Sequence, residues 1–317
     1  MEAAHPVPDA AGIKAAQALK TAVTGLGQDD LVVALICGGG SSLLPDPPAG
    51  LDLADLQALN EALLASGGIN GGRLAELAAP AQVCSLIVSD VPGDAAGEVA
   101  SGPTVAGRPV PRDVHDMILA RGIALPARLM AHLEKQTDSP APDIQDRAQT
   151  HIIASAALSL EAAASAARAK GVNAWVLSDR IEGEARDVAQ VHAALARQVA
   201  QTGFPHSRTC CPAVWRRNHR HPAFSSRLHL PWMGLGNIQA LAADTDGIDG
   251  SETNAGAFVD GRTADRMRVT GADPQAFLQK NNAYSAFEAV GDLFITGPTG
   301  TNVNDFRAIL IGDVPRG

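Results

Sequence analysis

Aromatic residues make up only 3% of this 317-residue chain, and it has a single tyrosine. A core must therefore be assembled from Ala, Leu, Val and Ile; the 46% hydrophobic content is enough for a substantial one. Positive charge is also short, with 25 Lys and Arg against 34 Asp and Glu and a net charge of −9. That balance excludes nucleic-acid binding through a global positive field, so an anionic substrate needs a local positive site or a metal. The longest apolar runs, such as Leu31 to Cys37, are too short to cross a bilayer, which predicts no membrane partner. The opening MEAAHPVPD is acidic and proline-bearing, unlike a secretory signal. The four cysteines, Cys37, Cys84, Cys210 and Cys211, show no paired framework, so the expected compartment is a reducing cytoplasm. No Gly-x-Gly-x-x-Gly follows an apolar run, and no glycine loop ends in Gly-Lys-Ser/Thr. The length suits one large or two medium domains.

The densest chemistry lies in IQALAADTDGIDGSETNAGAFVD, Ile238 to Asp260. Ile238 to Ala243 reads as a short buried strand that opens into a loop holding Asp244, Asp246, Asp249 and Glu252. Carboxylates this close repel one another unless they are solvated or share a cation or polar substrate. With Gly247 and Gly250 letting the loop fold back, Asp244, Asp246 and Asp249 can converge on one hard cation such as Mg²⁺. An Asp/Gly-rich solvated turn has the same composition. The pattern is not an EF-hand, whose ligand spacing and terminal Glu it lacks.

Three further loops follow apolar runs. Leu31 to Cys37 suits a parallel strand buried on both faces, and it ends in Gly38, Gly39, Gly40, Ser41 and Ser42. Bare backbone there lets N–H groups approach a phosphate or carboxylate. Val83 to Ser89 delivers Asp90 and Asp94 at its carboxyl end, followed by ASGPT, Ala100 to Thr104. Ligands of open α/β sheets bind at strand carboxyl ends, so both aspartates are site candidates. Asp292 to Thr296 enters Gly297 to Asp305, where Thr299, Thr301, Asn302 and Asn304 make a donor-rich loop suited to an anion or a polyol. Each of these loops also reads as an ordinary turn.

Helical spacing is predicted over 11–23, 53–65 (capped by Asp52), 73–78, 113–121, 126–135, 156–170 (ended by Gly171), 184–201, 273–279 and 284–290. Further short strands are predicted at 151–155 and 173–178. Strands alternating with helices give an α/β class with a doubly wound parallel sheet.

The loops together are more specific than any alone. HPVPD, ICGGGSSLLP, GGRLAE, SDVPGD, ASGPT, DRIEGEARD, ALAADTDGIDGSETNAGAFVD and GDLFITGPTGTNVNDFRAIL occur in this order. The set resembles the class II glycerate 2-kinases, also named hydroxypyruvate reductases, whose C-terminal part is the MOFRL domain. The resemblance implies a Rossmann-like α/β N-terminal domain, here 1–205, and a smaller α/β C-terminal domain, 206–317, with the site in the cleft between them. It implies phosphoryl transfer from ATP to D-glycerate, giving 2-phosphoglycerate, with Mg²⁺. In that reaction Gly38 to Ser42 would hold an anionic group on backbone N–H. Asp244, Asp246 and Asp249 would hold Mg²⁺, with Asp246 nearest the chemistry. Asp90 or Asp94 would accept the hydroxyl proton, and Thr299, Thr301, Asn302 and Asn304 would fix the substrate. Homodimer formation is left open. The alternative in another reaction class is an NAD(P)H-dependent hydroxypyruvate reductase, which the missing dinucleotide fingerprint disfavours. The non-enzymatic alternative is an inactive pseudogene product.

The chain departs from that family in three places. The family has a further region before HPVPD, with its own glycine-rich, lysine-containing segment. Between Gly67 and Gly71 it carries a longer helix with an Arg-Lys-His cluster, a natural phosphate ligand that is missing here. The third departure is HSRTCCPAVWRRNHRHPAFSSRLHLPW, His206 to Trp232, with five Arg, four His and no Asp, Glu or Lys. A zinc site from Cys210, Cys211, His219 and His221 is one reading, against the usual Cys-x₂-Cys spacing. A frame change explains more. With GTC TGG CGG CGA AAC CAC CGT CAC CC as codons for Val214 to Pro222, dropping the first base spells SGGETTVT, which resembles the opening motif of the MOFRL domain. A frameshift near Pro205, restored by about Gly236, would leave a foreign, badly packed peptide across 206–235 and an impaired enzyme.

Overall fold

The computed structural model describes residues 2–63, 71–107, 111–135, 143–144, 146–203, 211–217, 236–250, 252–280 and 282–312. The chain separates into two compact units, Met1–Ile153 and Ala154–Gly317.

In the first unit, α1 (Ala10–Val23) starts where the Asp9 carboxylate accepts the Gly12 N–H at 2.8 Å. Strand β1 (Leu31–Ile36) pairs in parallel with β2 (Gln82–Val88), Leu31 opposite Gln82 through Ile36 opposite Ile87, and β3 (Ala148–Ala154) follows in the order β1-β2-β3. Three helices connect β1 to β2: α2 (Gly40–Leu43), α3 (Leu53–Leu63) and α4 (Arg73–Leu77). Asp52 caps α3 as expected, in a reciprocal box. It accepts the Asp55 N–H at 3.1 Å, while Asp55 accepts the Asp52 N–H at 2.9 Å. The Asp55 N–H, and then Arg128, hold the Asp52 carboxyl below the usual carboxylate range. Helices α5 (Pro111–Ala120) and α6 (Ala127–Lys135) precede β3. The core gathers Ala16, Val23, Leu74, Val83 and Ile144, with a second cluster of Ile87, Val91 and Val99 beneath the strand ends.

Strand β1 is not buried on both faces as its unbroken apolar run predicts. Leu31, Val33 and Leu35 are 63%, 53% and 77% exposed. They alternate along the edge strand of the sheet, so one face packs inward and the other does not.

The second unit begins with α7 (Ala156–Ala169), capped by Ser155 and closed at Gly171, whose φ of 77° suits its place beyond the last turn. Then come β4 (Ile181–Gly183), α8 (Ala185–Thr202), β5 (Cys211–Arg217), β6 (Ile238–Asp244) and β7 (Gly256–Asp260). Helices α9 (Thr263–Val269), α10 (Pro274–Gln279) and α11 (Ala283–Glu288) precede β8 (Leu293–Phe294) and β9 (Asp305–Ile311). The sheet order is β4-β5-β9-β6-β7-β8. Only β4–β5 is parallel; the other pairs are antiparallel. The doubly wound parallel sheet expected from alternation therefore gives way here to a mixed sheet within the α/β class. The β6–β7 connection carries no crossover helix, and without one two neighbouring strands must run antiparallel.

Alanines at helical spacing, Ala185, Ala189, Ala193 and Ala196, form the buried face of α8 in a cluster with Ile238, Val259 and Ile309. The strand predicted at 173–178 is reduced to a single bridge residue at Ala174. Trp175, Val176 and Leu177 stay 45%, 36% and 42% exposed, and the pairing to β5 is made further on, by β4. Strands β4, β5, β7 and β9 and helices α2 and α9 were not anticipated. Among the described residues no helix is long and apolar enough to cross a membrane.

Candidate functional site

Two constellations form, one in each unit, and each brings together two loops that are distant in sequence. In the first unit, parallel pairing of β1 and β2 puts their carboxyl ends side by side. Gly38 then lies directly against the Asp90 carboxylate, and a β-carbon at Gly38 would collide with it. Gly40 stands close to Ala100, where an added β-carbon would be 2.7 Å from the Ala100 methyl. The Ser41 and Ser101 hydroxyls share a hydrogen bond of 2.6 Å. Ser42, 5% exposed, donates from its hydroxyl to the Gly39 carbonyl at 3.0 Å and so braces the loop from within. Behind them the buried Ser85 hydroxyl donates to Thr104 at 2.7 Å. The N–H groups of Gly71 and Gly72 bond to the carbonyls of Ser101 and Gly102. Asp94 lies on the same turn as Asp90, its N–H bonded to the Val91 carbonyl at 3.1 Å.

In the second unit the antiparallel register sets Asp244 at the end of β6 opposite Asp305 at the start of β9. The acidic loop and the Gly297–Asp305 loop therefore leave the sheet together. Thr245 donates its hydroxyl to the Asn304 carbonyl at 2.6 Å and accepts the Val303 N–H at 2.9 Å. The Thr299 hydroxyl donates to the Thr245 carbonyl at 2.5 Å, and its N–H to the Asp246 carbonyl at 3.0 Å. Asn302 donates its amide to one oxygen of Asp246 at 3.0 Å, while the other accepts the Ile248 N–H at 2.8 Å. The Asn302 side-chain oxygen accepts the Asn304 N–H at 3.0 Å. Thr301 is exposed, and its N–H is 3.4 Å from the Thr299 hydroxyl.

Asp246 thus serves as a clasp between the loops. Asp244 accepts the Asp246 N–H at 3.4 Å, and the Asp249 N–H goes to the Asn254 carbonyl at 2.7 Å. Among the described residues no three or more His, Cys, Asp or Glu side chains gather closely enough to hold a metal ion. Asp244, Asp246 and Asp249 share one loop but are not drawn together as a ready-made cage. Cys210, His219 and His221 of the zinc reading lie outside the described residues.

Backbone strain marks the same places. Four non-glycine residues among those described have positive φ: Asp94 at 57°, Ala100 at 50°, Ser101 at 63° and Asn304 at 72°. All four sit in these loops. Such conformations cost of order 1–3 kcal/mol each and persist where the surroundings impose them, typically at ligand sites. Gly247 is constrained differently: its φ is 91°, and a β-carbon there would collide with the Gly297 carbonyl. Gly247→Ala is accordingly expected to cost roughly 2–4 kcal/mol, because relief of the clash breaks the Thr299 and Asn302 bonds. Urea denaturation measures it, and a loss below about 0.5 kcal/mol would mean the loops are not locked together.

Three features were not read from the sequence. His5 stands over the glycine loop, its ring 3.1 Å from where a β-carbon of Gly39 would be. Thr245 knits the two acidic-side loops; its position between two aspartates in ADTDG was the available signal. Arg266 pairs with both Asp260 and Asp292 and so ties α9 to the ends of β7 and β8. Burial works against the Asp260 charge, but hydrogen bonds from the Arg262 N–H and Arg266 outweigh it and keep its carboxyl below the usual range.

Comparison with known proteins gives the family. Residues 1–134 match a family model described as a domain of unknown function, DUF4147, and residues 219–305 match the MOFRL family. D-glycerate 2-kinase of Thermotoga maritima is 32% identical over 337 residues, covering 98% of this chain and 79% of that protein. The chain belongs to the glycerate kinase family. The crystal structure of the Thermotoga maritima glycerate kinase superposes with a TM-score of 0.84 at 31% identity, covering 98% of this chain and 80% of that one. Another relative, from Agrobacterium vitis and named "Putative hydroxypyruvate reductase", is 44% identical over 341 residues, covering 98% of this chain and 77% of that protein. Both names carried by glycerate kinase relatives are therefore close to this chain.

Proposed function

We propose that this chain is a cytoplasmic glycerate 2-kinase that transfers the γ-phosphoryl group of ATP to the 2-hydroxyl of D-glycerate, and that it does so weakly. The observation that carries the reading is the Asp90 carboxylate set against Gly38, at the mouth of a loop of bare N–H groups and serine hydroxyls. An anionic hydroxy acid held by such a loop presents its hydroxyl to the neighbouring carboxylate. In the step, the 2-oxygen forms a bond to the γ-phosphorus and the bond to the β-phosphate oxygen breaks. ADP leaves, and the hydroxyl proton passes to Asp90. Asp94, on the same turn, is the second candidate for that proton.

In the second unit, the Thr245, Asp246, Thr299 and Asn302 lattice supports a phosphate- or polyol-binding role for Thr299, Thr301, Asn302 and Asn304. Mg²⁺ neutralises phosphate charge when it is bound. It commonly rides on the nucleotide with one or two carboxylates rather than in an all-protein cage. With Asp246 engaged at both oxygens, no step is assigned to the metal.

Weak activity follows from the His206 to Trp232 segment, where SGGETTVT is expected and foreign residues stand. It follows too from Ser66 to Asn70, which carries no Lys or Arg. The reaction class is tested by ADP release beside NADH oxidation on one preparation. ADP formation that depends on D-glycerate, with NADH untouched by hydroxypyruvate, is expected. Hydroxypyruvate-dependent NADH oxidation without ADP release would replace the kinase reading with the reductase.

A further inference from the structure

The substrate-side loops of the first unit have a chemical deficit. GGGSS, DVPGD and ASGPT bring hydroxyls and carboxylates to the site, but no Lys, Arg or His. An anionic hydroxy acid placed on Gly38 to Ser42 therefore sits beside the Asp90 carboxylate, with backbone N–H groups and hydroxyls as its local donors. A donor of greater reach has to come from another segment.

His5 is that segment's contribution. A side chain at Gly39 would meet the His5 ring 3.1 Å from both Cδ2 and Nε2, so the Nε2 edge of the imidazole lies beside the loop at its left-handed turn, φ 77°. His5 is exposed, yet the chain around it is held firmly. Asn60, 6% exposed, donates its amide to the Pro6 carbonyl at 2.7 Å. Gln57, one turn earlier on α3, donates to the Pro8 carbonyl at 2.9 Å. Asp9 is locked as the cap of α1. Prolines at 6 and 8 remove two backbone donors and stiffen what remains. A buried amide, a second amide from the same helix face and a helix cap thus fix the backbone that carries the exposed His5 ring. Such investment in an exposed side chain is characteristic of binding residues, which need a fixed place and an open face.

We propose that His5 is a substrate-binding residue: it donates a hydrogen bond from Nε2 to the carboxylate of the hydroxy acid held on Gly38 to Ser42. The inference rests on the glycerate reading above. It deepens that reading by naming the side chain that selects an acid over a neutral polyol. The role needs a donor at Nε2 and no net charge, so an amide in the same place should replace it in part.

The test is isothermal titration of the full chain, and of its His5→Ala and His5→Gln variants, with D-glycerate, with glycerol and with ATP. The His5→Ala variant is expected to bind D-glycerate about tenfold more weakly, since one hydrogen bond to a charged group is lost. His5→Gln should recover most of the loss, and ATP affinity should stay within about twofold in both. Glycerol, which lacks the carboxylate, should gain nothing from His5. In carbon–proton correlation spectra, the imidazole signal absent from His5→Gln should move when D-glycerate is added to the unmodified chain. D-glycerate binding by His5→Ala equal to that of the unmodified chain, or an unmoved imidazole signal, overturns the proposal alone. Parallel loss of ATP and D-glycerate binding with a lowered melting temperature in both variants makes His5 a structural pin, and also overturns it. Failure of the unmodified chain to bind D-glycerate overturns the glycerate reading itself, and this inference with it.

Discussion

ADP formation by the unmodified chain is expected to lie at least about 10³-fold below that of the Thermotoga maritima D-glycerate 2-kinase, assayed with the same D-glycerate, ATP and Mg²⁺. Phosphoryl transfer asks a protein mainly for alignment and for positive charge around the moving group, and the loss of a single well-placed cation costs about this factor. The acidic and hydroxyl-bearing loops are intact. The parts that the family resemblance leads one to expect and this sequence does not spell are SGGETTVT within 206–235 and the basic cluster where Ser66 to Asn70 stand. Grafting the Thermotoga maritima segment in place of 206–235 is expected to recover at least about a hundredfold of the deficit. Turnover of the unmodified chain within tenfold of that relative would show both segments to be dispensable. Genomic DNA that cannot spell the motif in the shifted frame would end the frameshift account of their loss.

Acidification should weaken the second unit through one buried imidazole. His192 on α8 is 4% exposed, and its pKa is lowered to about 4, chiefly by burial and then by the Arg307 charge. Above its ordinary value of 6.5 the ring is neutral whether the chain is folded or not, and stability does not depend on it. As pH falls from 6.5 towards about 4, the unfolded chain takes up a proton that the folded chain refuses, so stability drops through that window. Below about 4 both states are protonated and the loss stops growing. The full loss is about 3 kcal/mol, which for a unit of this size lowers the melting temperature by roughly 10 °C. His192→Gln removes the titrating group and should flatten the profile across that window. An unchanged pH dependence in that variant would place the proton uptake elsewhere.

How much of this was legible in the sequence differs between the units for physical reasons. Helices announced themselves through spacing and caps: Asp52, Ser155 and Gly171 act where side-chain chemistry makes a boundary local. The glycine loop after β1 and the aspartates after β2 were legible because the run, the turn and the ligand type are contiguous. Strand direction was not, since β6, β7 and β9 share an apolar composition with parallel strands, and only connection length separates the cases. The exposed side of β1 was hidden for a related reason, as an unbroken apolar run carries no record of which neighbours exist. Asp246 shows the limit for the site. Counting carboxylates suggested an ion; the structure adds that its two oxygens accept from Ile248 and Asn302. Neither partner is visible without the register that sets Asp244 opposite Asp305. His5 was hidden because its loop lies thirty-odd residues away, and no local rule links them.

A frameshift predicts a badly packed segment from 206 to 235, and regular strand pairing through Ala213 to His219 counts against it. The backbone of β5 does pair, Cys211 to Trp215 with β9 and Ile181 to Gly183 with Trp215 to Arg217, while residues 218 and 219 lie outside those described. That pairing counts against the frameshift over Cys211 to Arg217, although the backbone alone can account for it. Sheet ladders are made of N–H and C=O groups that nearly every residue carries, so a slot between two strands reads length and ignores identity. Pro212 is the exception in the strand, as it faces Ala308 with no N–H to give. The consequence is evolutionary. A slot with this indifference lets a gene survive a change of reading frame as a folded protein, while the selection that held each side chain in place is lifted all at once.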